Sequence, residues 1–316
     1  MRCGHDWQVN GQDANTGPDP RPQLRTHMTL DLASVRWIHG APDCAKSDDP
    51  LIQVVAIDAD TFILRISKCF SFEANFIYLF LGSRRAILFD TGGPADPQAP
   101  VQVLPLRETV DALLDAHPRG RDLDLVVAHT HGHRDHIHWD AQFRDRPGTT
   151  LVGLTLSEVQ AFWSLSDWPE GEATLDLLGD RPLTAFPIPG HEPTHIAVFD
   201  HRTGILLTGD VLYPGLLTVR DWPAFRASAR RLARFAAAHP VRMALGHHIE
   251  MSRAPGQLYP LGATYQPDEH PLPLAPSCIE ELHRACEDMA DSPRSETFGA
   301  FAIEIMPEAA AKLPGP

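Results

Sequence analysis

The segment from residue 129 to residue 136 reads HTHGHRDH and concentrates side chains that bind metal ions. It holds four histidines and one aspartate within eight residues. Imidazole and carboxylate groups suit zinc, iron, manganese or nickel, and no cysteine lies there to select a softer ion. Gly132 permits a backbone bend between two of the histidines that a side chain would hinder. The segment therefore predicts a metal site.

Three more potential ligands, His191, Asp210 and His247, each follow another predicted strand. The histidine-rich segment itself follows the apolar run 123–128, which predicts a strand buried on both faces. In open α/β sheets the chemistry usually lies beyond the carboxyl ends of strands. We therefore expect one cleft to gather seven ligands: His131, His133, Asp135, His136, His191, Asp210 and His247.

Seven ligands are more than one tetrahedral zinc ion needs. They suit a pair of ions about 3.5–4 Å apart. We therefore expect two divalent cations, most readily zinc, with iron or manganese as alternatives. A coordinated ion lowers the pKa of water to roughly 7, so the cleft would carry a hydroxide at neutral pH. Such a hydroxide attacks a carbonyl that the metals polarise.

Alternating and helical apolar patterns predict the elements that position these ligands. Two hairpins are expected early in the chain, and helices alternate with further strands after them. The predicted strands are 52–57, 61–67, 76–81, 85–89, 123–128, 183–188, 196–199, 205–208, 241–245 and 298–305. The predicted helices are 101–116, 157–165, 221–238 and 277–289. The chain therefore belongs to the α/β (α+β) class.

Composition limits the partners. The chain has 316 residues and a formal charge of −14 without a Lys/Arg block, so neither nucleic acid nor an anionic membrane is an expected partner. A small molecule with a hydrolysable carbonyl is the expected partner, and a homo-oligomer remains possible. No apolar run approaches the roughly 20 residues that a membrane span needs.

The ends of the chain and its cysteines carry further expectations. Residues 1–30 are rich in Gly, Pro, Asn and Asp and predict a flexible N-terminal tail. Residues 31–316 are expected to form a single domain with a C-terminal extension from about 254. The start of the chain lacks the apolar core of a signal peptide.

The five cysteines are scattered without a CxxC motif, which predicts reduced thiols and a cytoplasmic location.

The order and context of these motifs resemble the metallo-β-lactamase-fold hydrolases. The similar stretches are THGHRDH at 130–136, PGH at 189–191, TGD at 208–210 and GH at 246–247, with LFDTGG at 88–93 upstream. The resemblance runs from about residue 52 to residue 250. It implies a four-layer αββα metallo-β-lactamase sandwich with the metals at one edge.

The resemblance also implies a role for each ligand. His131, His133 and His191 would hold the first ion, and Asp135, His136 and His247 the second. Asp210 would bridge both, beside a metal-bridging hydroxide. Asp90 would order the ligand loop from behind. His248 lies off the family pattern and is not expected to be a ligand.

Two residues are candidates for catalysis beyond metal binding. Tyr213 stands three positions after Asp210, which resembles the Asp-x-x-Tyr of the N-acyl-homoserine lactonase branch, where the phenol reaches the substrate carbonyl. Asp135 is the candidate proton acceptor during turnover. The implied substrate is a lactone, ester or thioester, as in the lactonase and glyoxalase II-like branches.

Other reactions and motifs compete with this interpretation. A mononuclear iron enzyme of the persulfide dioxygenase type would use the subset His131, His133 and Asp210. Cleavage of a β-lactam amide is also possible, although the β-lactamases resemble this motif set less well. The HEPTH at 191–195 spells the zincin motif HExxH, but Pro193 inside it argues against the helix that this motif needs.

Overall fold

The computed structural model describes residues 30–307. The predicted tail lies outside the described residues except for its last residue, so it stays a prediction. The strands are β1 (Ile52–Asp58), β2 (Thr61–Ile66), β3 (Phe76–Leu81), β4 (Arg85–Phe89), β5 (Asp124–Ala128), β6 (Thr149–Leu151), β7 (Ala173–Leu175), β8 (Leu183–Pro187), β9 (Ile196–Asp200), β10 (Ile205–Gly209), β11 (Leu216–Val219), β12 (Met243–Gly246), β13 (Glu296–Thr297) and β14 (Ala302–Ile305). The α-helices are α1 (Leu106–Ala116), α2 (Arg134–Ile137), α3 (Leu156–Trp163), α4 (Trp222–Ala238) and α5 (Pro276–Met289).

Two large sheets carry the fold. The first has six strands in chain order from β1 to β6, and the second has five in the order β12-β10-β9-β8-β7. β4 pairs with β5 in parallel, and so does β10 with β12. The carboxyl ends of paired parallel strands lie at one edge, which is where the chain places the predicted ligands.

Side chains along each strand point alternately to the two faces of its sheet, and both faces are apolar. Tyr78 of β3 and Leu207 of β10 lie in the core between the sheets. The next residue along β3, Leu79, packs instead with α1, and Leu206 of β10 packs with α4 and α5. Because both faces of both sheets are covered, the arrangement has four layers. The predicted αββα sandwich is confirmed.

Helix α4 shows how local sequence sets these layers. Asp221 caps its start, where the side chain accepts a hydrogen bond from Ala224 N at 3.2 Å. Pro223 stands in the first turn, where a missing backbone N–H costs nothing. The buried face of the helix includes Phe225 and Leu232, which pack on the second sheet.

The C-terminal segment packs on the fold. β14 pairs in parallel with β11 and forms a three-stranded sheet with β13. The sequence patterns predicted a strand at 298–305 but missed β11, whose four residues leave only a short alternating pattern. Through the carbonyl of Thr218, β11 contacts His191, one of the predicted ligands.

Cys44 and Cys69 form a disulfide bond. The prediction of reduced thiols is therefore wrong for these two cysteines and for Cys278, which is also disulfide-bonded. The sequence could not reveal the pair because the two cysteines are 25 residues apart and only the fold brings them together. The prediction of a cytoplasmic location loses the support that it took from reduced thiols, since disulfides persist mainly in oxidising compartments.

Within residues 30–307, no helix is both long enough and apolar enough to cross a membrane.

Candidate metal centre

The histidine-rich segment leaves β5 and turns into the short helix α2. Asp90, at the end of the neighbouring β4, holds the turn from behind: Thr130 N donates to its Oδ1 at 2.9 Å and Thr130 Oγ1 to its Oδ2 at 3.0 Å. Asp90 has a φ of +68°, a left-handed conformation that Asp tolerates better than most residues. The expectation that Asp90 orders the ligand loop agrees with these contacts.

Three histidines form a first group of ligand atoms. His133 Nδ1 lies 3.0 Å from His131 Nε2 and 2.9 Å from His191 Nε2. The other ring nitrogen of His191 donates to the carbonyl of Thr218 at 2.8 Å, which leaves a lone pair on Nε2. This outer hydrogen bond fixes the ring in the form and orientation that a metal ligand needs.

A second group contains two carboxylates and two histidines. His136 Nε2 lies 3.0 Å from Asp135 Oδ2 and 3.2 Å from Asp210 Oδ2. Its Nδ1 is 2.7 Å from Asp90 Oδ2, an arrangement in which the ring donates outward and offers Nε2 inward. The fourth member is His248, whose Nε2 lies 3.3 Å from Asp135 Oδ2.

One oxygen of Asp210 lies between the two groups. Its Oδ2 is 3.6 Å from His191 Nε2 and 3.7 Å from His131 Nε2 on one side. On the other side it is 3.2 Å from His136 Nε2 and 3.5 Å from His248 Nε2. An oxygen within reach of both groups is placed as a bridging ligand requires.

The structure differs from the sequence prediction at the second group, where His248 takes the place assigned to His247. Nε2 of His247 lies 2.9 Å from Asp90 Oδ2, and its ring meets the edge of Tyr78 at 5.0 Å. His247 instead forms a third cluster of potential ligands with Asp90 and His136, whereas His248 belongs to the second group.

The donor atoms fit metal ions. Ligands at zinc distances of about 2.1 Å lie about 3.4 Å apart around a tetrahedron, close to the separations within each group. Burial lowers the pKa of His131 well below its usual value, aided by the neighbouring His136. A neutral imidazole with a free lone pair is the form that coordinates a cation. Oδ1 of Asp210 is also buried without a hydrogen-bond partner among the described residues, as a group awaiting a ligand would be.

The second group holds charges that favour one another. Burial alone would raise the pKa of Asp210, but the neighbouring His136 and His248 hold it well below its usual range. Burial likewise opposes a charge on His248, yet Asp210 and Asp135 raise the pKa of that imidazole well above its usual value. The carboxylate of Asp210 is therefore held in the deprotonated form that binds a cation.

Residues behind the ligands hold them in place. His195 Nε2 accepts a hydrogen bond from Asp210 N at 3.1 Å, and its ring stacks on that of His131 at 4.5 Å. No helix forms at 191–195, in agreement with the rejection of the zincin motif. Sequence reasoning missed Asn75, whose Nδ2 donates to Asp135 Oδ2 at 3.2 Å. Nothing in the local sequence of Asn75 marks this contact.

The two predicted catalytic residues lie at the site in different ways. Asp135 faces the cleft within the second group, with 22% of its side chain exposed. Tyr213 is buried, and its ring lies 5.4 Å from that of His248. Its hydroxyl donates to the carbonyl of Leu216 at 2.6 Å and lies 3.1 Å from Glu250 Oε2. The predicted contact of this phenol with a substrate carbonyl thus competes with hydrogen bonds inside the protein.

Comparison with known proteins places this site in context. Residues 71–248 match the family model described as the metallo-beta-lactamase superfamily. Hydroxyacylglutathione hydrolase GloC of Haemophilus influenzae is 25% identical over 171 residues, which cover 48% of this chain and 73% of that enzyme. The hydroxyacylglutathione hydrolase of Ectopseudomonas mendocina is 28% identical over 156 residues, covering 48% of this chain and 53% of that enzyme. The aligned region thus spans about half the length of the second relative.

A solved structure shows the same fold. The metallo-beta-lactamase FIM-1 from Pseudomonas aeruginosa superimposes with a TM-score of 0.51 at 16% identity, over 77% of this chain and 97% of that chain. At this identity the likeness concerns the fold alone.

Proposed function

Because the chain belongs to the metallo-beta-lactamase superfamily, we propose that it is a dinuclear metal-dependent hydrolase that cleaves an acyl bond, with thioesters as the leading substrate class and esters and lactones as related ones. The observation that carries this proposal is the position of Asp210 Oδ2 within 3.7 Å of ligand nitrogens in both groups. A bridging carboxylate serves two ions, and two ions suit hydrolysis of a carbonyl compound.

The ligand assignment follows the geometry. His131, His133 and His191 would hold the first ion, and Asp135, His136 and His248 the second, with Asp210 shared. Zinc is the expected metal, with iron or manganese as alternatives, because all donors are imidazole nitrogens or carboxylate oxygens.

Two bound cations would supply a hydroxide nucleophile at neutral pH and would polarise the scissile carbonyl. The chain's own residues orient this centre. Asp90 fixes His136 through Nδ1, and His195 fixes the backbone of Asp210. Asp135 is more exposed to solvent than Asp210, at 22% against 8% of the side chain, so its carboxylate is the one placed to pass a proton between the cleft and water.

Thioesters fit this site for a chemical reason. An alkoxide leaving group needs a proton, whereas a thiol with a pKa of about 8.5 departs largely as the thiolate near neutrality. Burial raises the pKa of Tyr213 well above its usual value, and its hydroxyl is engaged with Leu216. A leaving group that needs no acid therefore suits the site best. The relatives named hydroxyacylglutathione hydrolase, whose substrate is an S-acyl thioester, support the same class.

Metal counting and a substrate panel test the proposal together. The purified protein, loaded with zinc, iron or manganese, should bind about two ions per chain. The panel contains S-acylglutathiones, acyl-homoserine lactones, an aryl ester and a chromogenic cephalosporin. Thioester hydrolysis that is lost on chelation and restored by metal is the expected result. A single iron per chain together with oxygen-dependent consumption of a glutathione persulfide would overturn the proposal in favour of the dioxygenase alternative.

A further inference from the structure

Asn75 lies beside the second ligand group, at the end of the loop between β2 and β3. Its Nδ2 is 3.2 Å from Asp135 Oδ2 and 3.4 Å from His248 Nε2. These two ligand atoms are themselves 3.3 Å apart. One amide nitrogen therefore borders two of the atoms that would hold the second ion.

The contact with Asp135 sets the orientation of the Asn75 amide. Nδ2 faces the carboxylate, because the amide oxygen would be repelled by it. The opposite atom, Oδ1, is buried without a hydrogen-bond partner among the described residues. An unsatisfied buried oxygen is unfavourable for folding, and a leucine would fill nearly the same volume without this cost. Residue 75 is therefore a polar side chain that folding alone does not favour.

The backbone next to Asn75 is held in an uncommon conformation. Ala74 is fully buried and has a φ of +45°, a left-handed value that is rare for residues with a side chain. Such strained conformations persist where the surrounding structure enforces them. The carbonyl of Glu73, on the other side of Ala74, accepts a hydrogen bond from His248 Nδ1 at 3.0 Å. The turn at Ala74 thus directs both of its neighbours to the same ligand group.

Hydrogen bonds fix this turn on two sides. Ile66 N in β2 donates to the carbonyl of Asn75 at 3.1 Å. Phe76 N, at the start of β3, donates to the carbonyl of His247 at 2.8 Å. Because the backbone is already anchored on both sides of Asn75, its amide loses little conformational freedom when it holds a ligand.

Gly93 leaves room for the approach of Asn75 to Asp135. A methyl group at position 93 would lie 3.2 Å from Asp135 Cβ and 3.3 Å from Asn75 Oδ1. The first distance is shorter than the roughly 3.5–4.0 Å at which carbon atoms pack. The amide and the ligand carboxylate are therefore in close contact at a position where a larger residue 93 would separate them.

Asn75 contacts only one of the two oxygens of Asp135. The nitrogens of Asn75, His136 and His248 all approach Oδ2, at 3.2, 3.0 and 3.3 Å. Oδ1 accepts no hydrogen bond from the described residues and is not one of their buried unpartnered atoms, so it belongs to the exposed 22% of this side chain. Oδ2 therefore faces the ligand nitrogens, and Oδ1 faces water.

We propose that Asn75 is a positioning residue that fixes Oδ2 of Asp135 as the oxygen that coordinates the second ion and leaves Oδ1 on the solvent side of the cleft. The inference rests on the proposed dinuclear site, since it concerns the second ion. A hydrogen-bond donor beside a ligand limits the rotation of the carboxylate and so strengthens metal binding. Loss of such an outer partner weakens metal binding by about 10–100-fold.

The test compares Asn75→Leu with the wild type, because leucine has nearly the size of asparagine and forms no hydrogen bond. Full-length protein loaded with cobalt(II) is titrated with a chelator, and the visible absorption of bound cobalt reports how many ions remain. Asn75→Leu should hold the second ion about 10–100-fold more weakly and the first ion within about twofold of the wild type.

Urea unfolding of the metal-depleted proteins distinguishes a positioning role from a purely structural one. The midpoint for Asn75→Leu should be no lower than that of the wild type, because the substitution removes an unsatisfied oxygen while Asp135 keeps two imidazole neighbours. A purely structural asparagine would instead give a lower midpoint and weaker binding of both ions.

Thr109→Val is the matched control, since it also replaces a polar side chain by an apolar one of similar shape. Thr109 lies in α1, donates through Oγ1 to the carbonyl of Pro105 at 2.7 Å and belongs to neither ligand group. This control should hold both ions as the wild type does.

Asn75→Ala serves as a second variant if the leucine variant does not fold. The proposal is overturned if the folded variants keep the second ion within about twofold of the wild type, or if both ions weaken together with a lower unfolding midpoint. Failure of the proposed function has a different signature, namely wild-type protein that hydrolyses no thioester. The dependence of the second ion on Asn75 is measured without substrate, so it stands or falls independently of that result.

Discussion

Nε2 of His248 lies 3.5 Å from Oδ2 of Asp210, whereas Nε2 of the preceding histidine, His247, lies 2.9 Å from Oδ2 of Asp90. The two adjacent histidines therefore contact different carboxylates. One offers a lone pair to the cleft, and the other supports the aspartate that orients His136. His248 thus has the role of a ligand, and His247 has the role of an outer partner that supports a ligand.

Substitution of each histidine should separate these roles. His248→Ala removes a donor of the second group and should leave about one tightly bound ion per chain, with kcat reduced by about 100-fold or more. His247→Ala leaves all donors in place and should keep two ions, while the loss of a buried group near Asp90 lowers the free energy of unfolding by about 1–3 kcal/mol. Elemental analysis and urea unfolding measure the two effects.

The opposite result would be equally informative. If His247→Ala loses the second ion and His248→Ala keeps it, the assignment of His248 as a ligand is wrong and the sequence prediction of His247 as that ligand is correct.

Asp210→Ala tests the bridge. Its Oδ2 lies within 3.7 Å of four imidazole nitrogens, so the variant should lose most of the second ion and about 1000-fold in kcat while it remains folded. Circular dichroism and metal analysis of the same sample measure both. Asp115→Ala is the control, since that side chain is 62% exposed and distant in sequence from every ligand. Activity of Asp210→Ala equal to that of the control would end the bridging role.

The site shows how far a sequence predicts geometry. A ligand type after each of four core strands, β5, β8, β10 and β12, was visible, because strand alternation and turn residues fix where a strand delivers its last side chain. The choice between His247 and His248 was not visible, since both follow the strand and a shift of one residue changes the side to which a side chain points. Asn75 and the disulfide depend on contacts between distant segments, which no local pattern encodes.

The disulfide bond should support the second ligand group. Cys69 lies in the loop between β2 and β3 that also carries Glu73 and Asn75, both of which contact this group. Cys44→Ser should lower the free energy of unfolding by about 3 kcal/mol, as expected for a crosslink between residues 25 apart. It should also weaken binding of the second ion by about tenfold, because outer partners position the ligands.

A double-mutant cycle checks that the effect comes from the bond. The pair Cys44→Ser and Cys69→Ser should be no less stable than either single variant, since the first substitution already removes the crosslink. Losses that add in the double variant would show that the two side chains act independently.

Tyr213→Phe distinguishes a substrate contact from a structural one. The hydroxyl donates to Leu216 and lies near Glu250, so its removal should lower the free energy of unfolding by about 1 kcal/mol. We expect kcat/KM for thioesters to change by less than about threefold, because a modest repositioning is the only consequence. A large fall in kcat confined to lactones, with unfolding unchanged, would restore the predicted contact between this phenol and the substrate carbonyl.

Lys68 should make the stability of the protein depend on pH in the alkaline range. Burial lowers the pKa of this lysine from its usual 10.5 to about 8, with Arg65 as the next cause. Between these two values the unfolded chain binds a proton that the folded protein has released, so the free energy of unfolding rises with pH across this window. The gain reaches about 3 kcal/mol at most and is complete above the unfolded pKa. Lys68→Met keeps the apolar stem and removes the titration, so the difference in urea unfolding between wild type and variant should increase from pH 8 to pH 10.5 in favour of the wild type. A difference that stays constant over this window would mean that Lys68 keeps its usual pKa in the fold.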